Sequence, residues 1–172
     1  MSDEYKNDQS YPSFRSLRTD DVDGFLKKVE SNINITGNHG QSLLQEAIAV
    51  PRYGHARALI ESGVNLNNQD ADGKTVLHYA IDSLRGKGDP AEVEELVGSI
   101  LEKGGSPNIV DKFGNPPIWT AALLPKKNFN IIKTLIKFGA DPNIKNNSGK
   151  SAIDFAQQTN KVELHNALLS DI

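Results

Sequence analysis

The chain lacks cysteine altogether, and aromatic side chains make up only 6% of its 172 residues. Without cysteine there is no disulfide framework, no cysteine-ligated zinc site and no cysteine nucleophile. Long apolar runs are also missing, and the opening MSDEYKNDQSYPSFRSLR has no apolar core of the kind that a signal peptide needs. We therefore expect a cytoplasmic protein that has no association with membranes.

A large excess of charge of one sign is missing as well. The chain has 19 basic and 22 acidic residues, a formal net charge of −3, and no run of lysine and arginine of the kind that follows a phosphate backbone. Nucleic acid is therefore not expected as a partner. With 37% hydrophobic residues, the chain has enough apolar material for one ordinary domain.

Patterns that point to a reaction are scarce. The histidines at positions 39, 55, 78 and 165 form no HExxH or other pair with ligand spacing, and no serine lies in a GxSxG turn. The glycine-containing stretch at residues 85–89 lacks the spacing of a phosphate-binding loop. We expect no catalytic residue, no cofactor and no metal ion, and keep an enzyme with a site at residues 82–91 as a minor alternative.

Internal repeats are what the sequence does contain. The strings GQSLLQEA, GKTVLHYA, GNPPIWTA and GKSAIDFA begin at Gly40, Gly73, Gly114 and Gly149, at separations of 33, 41 and 35 residues. A second marker, an asparagine, lies six residues before each of these glycines, at positions 34, 67, 108 and 143. Because this six-residue spacing is constant while the repeat length varies, we place the insertions inside the repeats, chiefly at residues 82–91.

Each repeat predicts two short helices. Thr75 is well placed as the N-cap of a first helix, and Gly104 is placed to end a second helix. The second helix has one apolar stripe at helical spacing, formed by Val93, Leu96, Val97, Ile100 and Leu101. Between repeats, sequences such as Asp70-Ala71-Asp72-Gly73 predict hairpin-like turns.

Two stretches, DGKTVLHYA at residues 72–80 and LIKFGADPN at residues 135–143, resemble the two signature halves of the ankyrin repeat. The resemblance implies an all-α ankyrin-repeat solenoid of about five stacked helix-turn-helix units with projecting β-hairpin-like loops. We expect a flexible tail at residues 1–12 and a single domain at 13–172. Its repeats lie at approximately 13–36, 37–69, 70–110, 111–145 and 146–172, and are numbered first to fifth below.

The signature histidine of the family ties neighbouring loops together by hydrogen bonding. The resemblance carries this role to His78 alone, because other residue types occupy the matching positions, namely Gln45, Trp119 and Asp154. Inter-loop bonding by a side chain is therefore predicted at His78 and left open elsewhere.

The resemblance further implies a non-catalytic module, monomeric when free, that binds another protein through its concave face and loop tips. The predicted contact residues are Asn38, His39, Gln41, Arg52, Tyr53, Asp72, Lys74, Tyr79, Ser83, Arg85, Lys112, Phe113, Asn115, Trp119 and Leu124. Aromatic residues and arginine dominate binding hot spots, so the candidate anchors are Phe113, Tyr79, Tyr53, Arg52 and Trp119. For Trp119, packing in the core is the favoured interpretation.

Two narrower hypotheses about the partner follow from the resemblance. In the first, the chain is an immunity protein that neutralises a cognate bacterial toxin by occluding its active site. In the alternative, it is a scaffold, an adaptor or an inhibitor subunit of a lasting complex.

Overall fold

The structure is a computed structural model that describes residues 12–19, 21–86, 88–124 and 129–169. These residues contain ten α-helices, a short 3-10 helix and no strand. The α-helices are α1 Pro12–Thr19, α2 Val22–Val29, α3 Leu43–Ala49, α4 Tyr53–Glu61, α5 Val76–Ser83, α6 Pro90–Glu102, α7 Pro117–Ala122, α8 Phe129–Lys137, α9 Ala152–Gln158 and α10 Val162–Leu168, and the 3-10 helix is Glu30–Asn32. The predicted tail at residues 1–12 lies outside the described residues except for Pro12, where α1 begins.

The helices form two rows. The first helix of each repeat packs on the first helix of the next, so that α3, α5, α7 and α9 are stacked, and the second helices α4, α6, α8 and α10 form the other row. The predicted apolar stripe of α6 is buried along its whole length. Small buried residues lie in the row of first helices, at Ala47, Ala80, Ala121 and Ala156. The predicted all-α repeat solenoid is confirmed.

The first helices begin at capping residues. The Ser42 N–H donates to Gln45 Oε1 at 2.6 Å and the Gln45 N–H donates to Ser42 Oγ at 3.2 Å, which is a reciprocal capping box. Thr75 is the N-cap of α5, as predicted, and its N–H donates to His78 Nδ1 at 3.1 Å. These bonds satisfy backbone donors that the first turn of a helix leaves without a partner.

The loops between repeats all close in the same way. In the third repeat, the Asp70 N–H donates to the Lys74 carbonyl at 3.1 Å and the Gly73 N–H donates back to the Asp70 carbonyl at 2.9 Å. The loops that begin at residues 37, 111 and 146 repeat both bonds. The side chain of Asp70 adds two more, because its Oδ1 accepts from the N–H groups of Asp72 and Lys74.

Side chains at the third position of a first helix tie each loop to the next. His78 is buried, its Nδ1 accepts from the Thr75 N–H, and its Nε2 lies 3.0 Å from the Asn115 carbonyl of the following loop. Because Nδ1 accepts, the proton is on Nε2, which donates to that carbonyl. The predicted inter-loop bond of His78 is confirmed.

At the preceding junction, which the sequence left open, Gln45 makes the same kind of bond. Gln45 accepts the Ser42 N–H at Oε1 and donates from Nε2 to the Lys74 carbonyl at 2.7 Å. A primary amide offers an acceptor and a donor from opposite corners of one planar group, as a neutral imidazole does. Beside Trp119 the bond is made by loop residues instead, with Asn146 Nδ2 donating to Asn115 Oδ1 at 2.9 Å.

The recurring asparagine of the sequence has a structural role as well. Asn67 Oδ1 accepts the Ser106 N–H at 2.7 Å, and Asn108 Oδ1 accepts the Asp141 N–H at 2.8 Å. Asn34 makes the equivalent bond to the Asn65 N–H at 2.7 Å. These three asparagines therefore each link the end of one repeat to the end of the next.

Candidate functional site

The loop tips and the exposed sides of the first helices form one surface, which we call the inner face. Its loop tips are at residues 38–39, 71–72, 112–113 and 147–148. Neighbouring tips are joined by backbone bonds, since the N–H groups of Ala71, Lys112 and Asn147 donate to the carbonyls of His39, Asp72 and Phe113, at 2.8, 2.8 and 2.9 Å. The tips therefore form a row whose spacing is fixed by the backbone.

Phe113 is the large apolar residue of this row. The equivalent tip positions hold His39, Asp72 and Ser148, whereas the Phe113 ring is 58% exposed. The Lys112 ammonium lies 5.1 Å from the ring centroid and donates to Asp72 Oδ1 at 2.7 Å. This hydrogen bond, reinforced by the positive charge of Lys112, lowers the pKa of Asp72.

Tyr79 occupies the inner face of α5 and is half-buried. Its hydroxyl donates to Asp70 Oδ2 at 2.8 Å, so the helix is tied to its own loop. Burial, together with the hydrogen bond and the negative charge of Asp70, raises the pKa of Tyr79. Beside it, Lys74 Nζ donates to Asp82 Oδ2 at 2.7 Å. Burial alone acts to lower the pKa of Lys74, but the hydrogen bond and charge of Asp82 outweigh it and the pKa is raised.

Two adjoining hollows lie on the inner face, with volumes of about 430 and 370 Å³. They share Ala49, Asp70, Asp72 and Tyr79 in their linings, and we call the combined hollow the inner trough. The larger hollow is also lined by Pro51, Lys74, Asp82, Ser83, Gly86 and Gly88, and the smaller by His39, Gln41, Glu46 and Ala71. Residues from the second repeat, the third repeat and the insertion at 82–91 therefore meet in one place.

Most of the predicted contact residues lie on the inner face. Those with exposed or half-buried side chains there are Asn38, His39, Asp72, Lys74, Tyr79, Ser83, Lys112 and Phe113. The sequence did not single out Asp70 and Asp82 as contact residues. The sequence predicts Asp70 only as a turn residue, because its approach to Tyr79 depends on how the loop folds back onto α5.

Other predicted contact residues make bonds within the molecule. Gln41 is buried and accepts the His39 N–H, and Leu124 is buried too. The Asn115 carbonyl, amide N–H and side chain all bond to neighbouring residues. Trp119 is half-buried and packs edge-on against Phe155, with ring centroids 5.9 Å apart.

Arg52, Tyr53 and Arg85 are also bonded within the chain. Arg52 donates to the Arg18 carbonyl at 2.6 Å, and the Tyr53 hydroxyl accepts the Asp89 N–H at 2.9 Å. Arg85 Nε donates to Asp82 Oδ1 at 3.2 Å. Tyr53 thereby fastens the end of the insertion to the preceding repeat.

Within the part of the chain that the structure describes, there is no group of three or more histidine, aspartate or glutamate side chains arranged to hold a metal ion. Among the same residues, no helix combines the length and the apolar character needed to cross a membrane.

Comparison with known proteins agrees with the repeat geometry. A family model described as "Ankyrin repeats (3 copies)" matches residues 87–172. A "Putative ankyrin repeat protein" of Rickettsia felis is 32% identical over 108 residues, which are 60% of this chain and 45% of that protein. "Neurogenic locus notch homolog protein 1" of Danio rerio is 30% identical over 140 residues, which are 80% of this chain and 5% of that protein.

A third relative, "Putative ankyrin repeat protein L371" of Acanthamoeba polyphaga mimivirus, is 22% identical over 147 residues, or 85% of this chain and 18% of that protein. The chain spans less than half the length of each of these three relatives. The matched family model, the stacked helix pairs and the loops joined by His78 and Gln45 lead to one conclusion: the chain belongs to the ankyrin-repeat family.

Proposed function

We propose that this chain is a non-catalytic module that binds another protein through its inner face. Ankyrin repeats are in general protein–protein interaction modules. Beyond this general role, we propose which residues of the inner face contact the partner. The observation that carries it is Phe113, a 58% exposed aromatic ring on a loop tip whose equivalents are polar. Burying such a ring in a partner releases a large apolar area from water, and aromatic residues are enriched in binding hot spots.

The Phe113 tip is held in place before any partner arrives. The Phe113 N–H donates to Asp111 Oδ1 at 2.9 Å, and its carbonyl accepts the Asn147 N–H at 2.9 Å. A group that is already fixed loses little conformational entropy on binding, so more of the contact energy appears as affinity. This favours Phe113 as an anchor over a flexible exposed side chain.

The test is affinity capture of the partner from the native source, followed by measurement of the Kd of the purified pair. We expect Phe113→Ala to weaken binding by about tenfold or more, and Tyr79→Ala to weaken it too. Val162→Ala is the matched control, because Val162 is a 67% exposed apolar residue on α10, away from the loop tips. An unchanged Kd for Phe113→Ala, with an unchanged melting temperature, would exclude this surface.

An enzyme with a site at residues 82–91 requires a cavity and titratable groups with pKa values near neutrality. The larger hollow reaches Gly86 and Gly88 in the insertion. However, the pKa values of both Lys74 and Tyr79 are raised there. At neutral pH these shifts keep the lysine protonated and the tyrosine neutral, so neither is activated as a base or nucleophile, and a binding role is favoured.

The narrower hypothesis of an immunity protein states that the partner is a bacterial toxin. Its support is the resemblance of small acidic ankyrin proteins to such inhibitors, so it needs its own test. Co-expression with the product of the adjacent gene should relieve the toxicity of that product, and Phe113→Ala should restore it. For the alternative of a scaffold or inhibitor subunit, native mass measurement should instead detect a lasting complex without any toxicity to relieve.

A further inference from the structure

The insertion in the third repeat builds one wall of the inner trough. The N–H groups of Gly86 and Gly88 both donate to the Ser83 carbonyl at 3.0 Å, which folds the insertion back onto the end of α5. Its far end is fastened by the bond from the Asp89 N–H to the Tyr53 hydroxyl. The N-terminal half of α6 is held in addition by Arg57, which binds Glu92 and, at 2.9 Å, Glu95. Bonds at both ends of the insertion therefore fix the shape of this wall of the trough.

The trough combines apolar walls with carboxylates. Ala49, Pro51 and the ring of Tyr79 supply apolar surface in the larger hollow. Four carboxylates line the two hollows, those of Glu46, Asp70, Asp72 and Asp82, and among the described residues that line them the lysine is Lys74. A long side chain with an apolar stem and a cationic head matches such a lining, because the stem packs on apolar surface while the head reaches the carboxylates.

The carboxylates differ in how they are neutralised. Asp82 binds Lys74 and Arg85, Asp72 binds Lys112, and Glu46 binds Arg18. Asp70 bonds to the Tyr79 hydroxyl and two backbone N–H groups, and no lysine or arginine forms an ion pair with it in the described part of the chain. The pair between Lys112 and Asp72 is about half exposed, so it contributes little and can be exchanged for a partner's cation.

The distribution of charge along the chain also favours a basic partner at this end. Residues 37–110 contain ten acidic and six basic side chains, whereas residues 111–172 contain five acidic and eight basic ones. The trough lies entirely within the acidic part. Complementary potentials of this kind fix the orientation of a partner and raise the rate of association.

We propose that the inner trough receives a basic segment of the partner protein, with an arginine side chain against Asp70 and Tyr79. This inference rests on the proposed function and specifies the chemistry of the partner. The guanidinium is a planar fork of donors that matches a carboxylate and also stacks on an aromatic ring. A lysine offers a point charge without that geometry, so arginine is the preferred occupant.

Asp70→Asn is the variant that tests the inference without disturbing the loop. The fifth repeat has asparagine at the equivalent position, and Asn146 Oδ1 accepts from the N–H groups of Ser148 and Lys150 at 3.0 and 3.1 Å, just as Asp70 does in its own loop. The Tyr79 hydroxyl can accept from the new amide in place of donating. Asp141→Asn is the control for loss of one negative charge, because Asp141 Oδ1 accepts the Asn143 N–H at 2.8 Å, a bond that an amide oxygen can keep, and does not line the trough.

The probe is a random peptide library displayed on phage and selected on the full chain. We expect the recovered sequences to be enriched in arginine. For the best peptide, Asp70→Asn should weaken binding by about tenfold, as should replacement of the peptide's arginine by the neutral isostere citrulline, while Asp141→Asn should change it by less than roughly twofold. Circular dichroism of both variants verifies that they fold.

Recovery of no peptide, of acidic or purely apolar peptides, or of peptides that bind Asp70→Asn as tightly as the parent would overturn the inference. The outcome can be separated from that of the proposed function. If the native partner depends on Phe113 but not on Asp70, the inner face is the binding surface and the trough does not take a basic segment. If it depends on neither residue, both proposals fail.

Discussion

The loop at residues 70–74 and the loop at residues 146–150 have the same internal structure but different surroundings. Both close with the same pair of backbone bonds and the same side-chain turn, made by Asp70 in one and Asn146 in the other. The first is covered by the following loop, whose Lys112 N–H donates to the Asp72 carbonyl, whereas no described loop follows the second. The comparison shows that a loop is shaped by its own residues, while stacking adds the contacts between repeats.

The largest effect that separates the two loops is expected at their glycines. Gly73 and Gly149 both have positive φ angles, 74° and 71°, which strain any other residue. A Cβ on Gly73 would lie only 2.8 Å from the Lys112 backbone nitrogen, whereas a Cβ on Gly149 meets nothing within 4 Å. We expect Gly73→Ala to lower the free energy of unfolding by about 3 kcal/mol and Gly149→Ala by about 1 kcal/mol.

Chemical denaturation of the two variants side by side measures this difference. Because the backbone strain is common to both, the excess loss in Gly73→Ala reports the clash with the next loop alone. Equal losses would mean that the loops are not in contact as described.

The second contrast is between His78 and Asp154, which occupy matching positions in their repeats. His78 bonds both to the N-cap of its own helix and to the next loop. Asp154 bonds to the N-cap of its own helix, with Oδ2 accepting the Ser151 N–H, and makes no bond to a further loop among the described residues. His78→Ala should cost about 3 kcal/mol, since it leaves a buried donor and a buried acceptor without partners and opens a cavity. We expect a clearly smaller loss from Asp154→Ala.

His78→Gln sharpens this contrast, because Gln45 already performs both tasks in the second repeat. We expect it to retain most of the stability that His78→Ala loses. A glutamine variant as unstable as the alanine variant would show that the ring's packing, rather than its two hydrogen bonds, is what matters at this junction.

These junctions also show how far sequence reasoning extends. The repeat length, the helix pairs, the Thr75 cap and the bridge of His78 follow from spacing and residue type. The bridge of Gln45 does not, because a family signature names the imidazole, while the physical requirement is any buried group with an acceptor and a donor suitably placed. Beside Trp119 the bridge is made by Asn115 and Asn146. To predict it from the sequence, one would have to know which loop atoms lie opposite each other.

The candidate binding surface was predictable to a similar degree. Loop-tip positions follow from the turn sequences, and Phe113 stands out among them by residue type. Gln41 and Asn115 have similar positions in the sequence, but their side chains make bonds within the molecule: Gln41 accepts the His39 N–H, and Asn115 bonds the side chains of Asp111 and Asn146. The trough itself was missed because it requires the insertion, the loop and the preceding repeat to meet in space.

Protonation offers a milder way than mutation to break the bond between His78 and the following loop. Burial lowers the pKa of His78 below its ordinary value of 6.5, so the unfolded chain binds the proton more readily than the folded one. The stability from neutral His78 is therefore fully present above pH 6.5 and declines as the pH falls below it toward the folded pKa. Urea titrations from pH 7 to pH 5 should show this decline, and it should vanish in His78→Gln.

Asp154 provides the terminal counterpart of this pH dependence. Hydrogen bonds from Ser151 lower its pKa below the ordinary 3.8, so its contribution is present above pH 3.8 and is lost only as the pH falls further, through its folded value. The contribution of His78 should thus weaken in mild acid, and that of Asp154 in the last repeat only in strong acid. A decline between pH 7 and pH 5 that persists in His78→Gln would assign it to another group.

The smallest contrast concerns the recurring asparagines. Asn108 bonds across to the next repeat twice, accepting the Asp141 N–H and donating to the Gly139 carbonyl at 2.8 Å, whereas the side chain of Asn143 donates back to Asp141 within its own turn. A partly exposed hydrogen bond contributes on the order of 1 kcal/mol, because water competes for both partners. Asn108→Ala should therefore lower the free energy of unfolding by about 1 kcal/mol and Asn143→Ala by less than half of that. If both substitutions leave the free energy of unfolding unchanged, the asparagine sets the register between repeats without stabilising the stack. Hydrogen exchange at the Asp141 amide then tests whether the bond to Asn108 forms at all, because exchange there should quicken in Asn108→Ala.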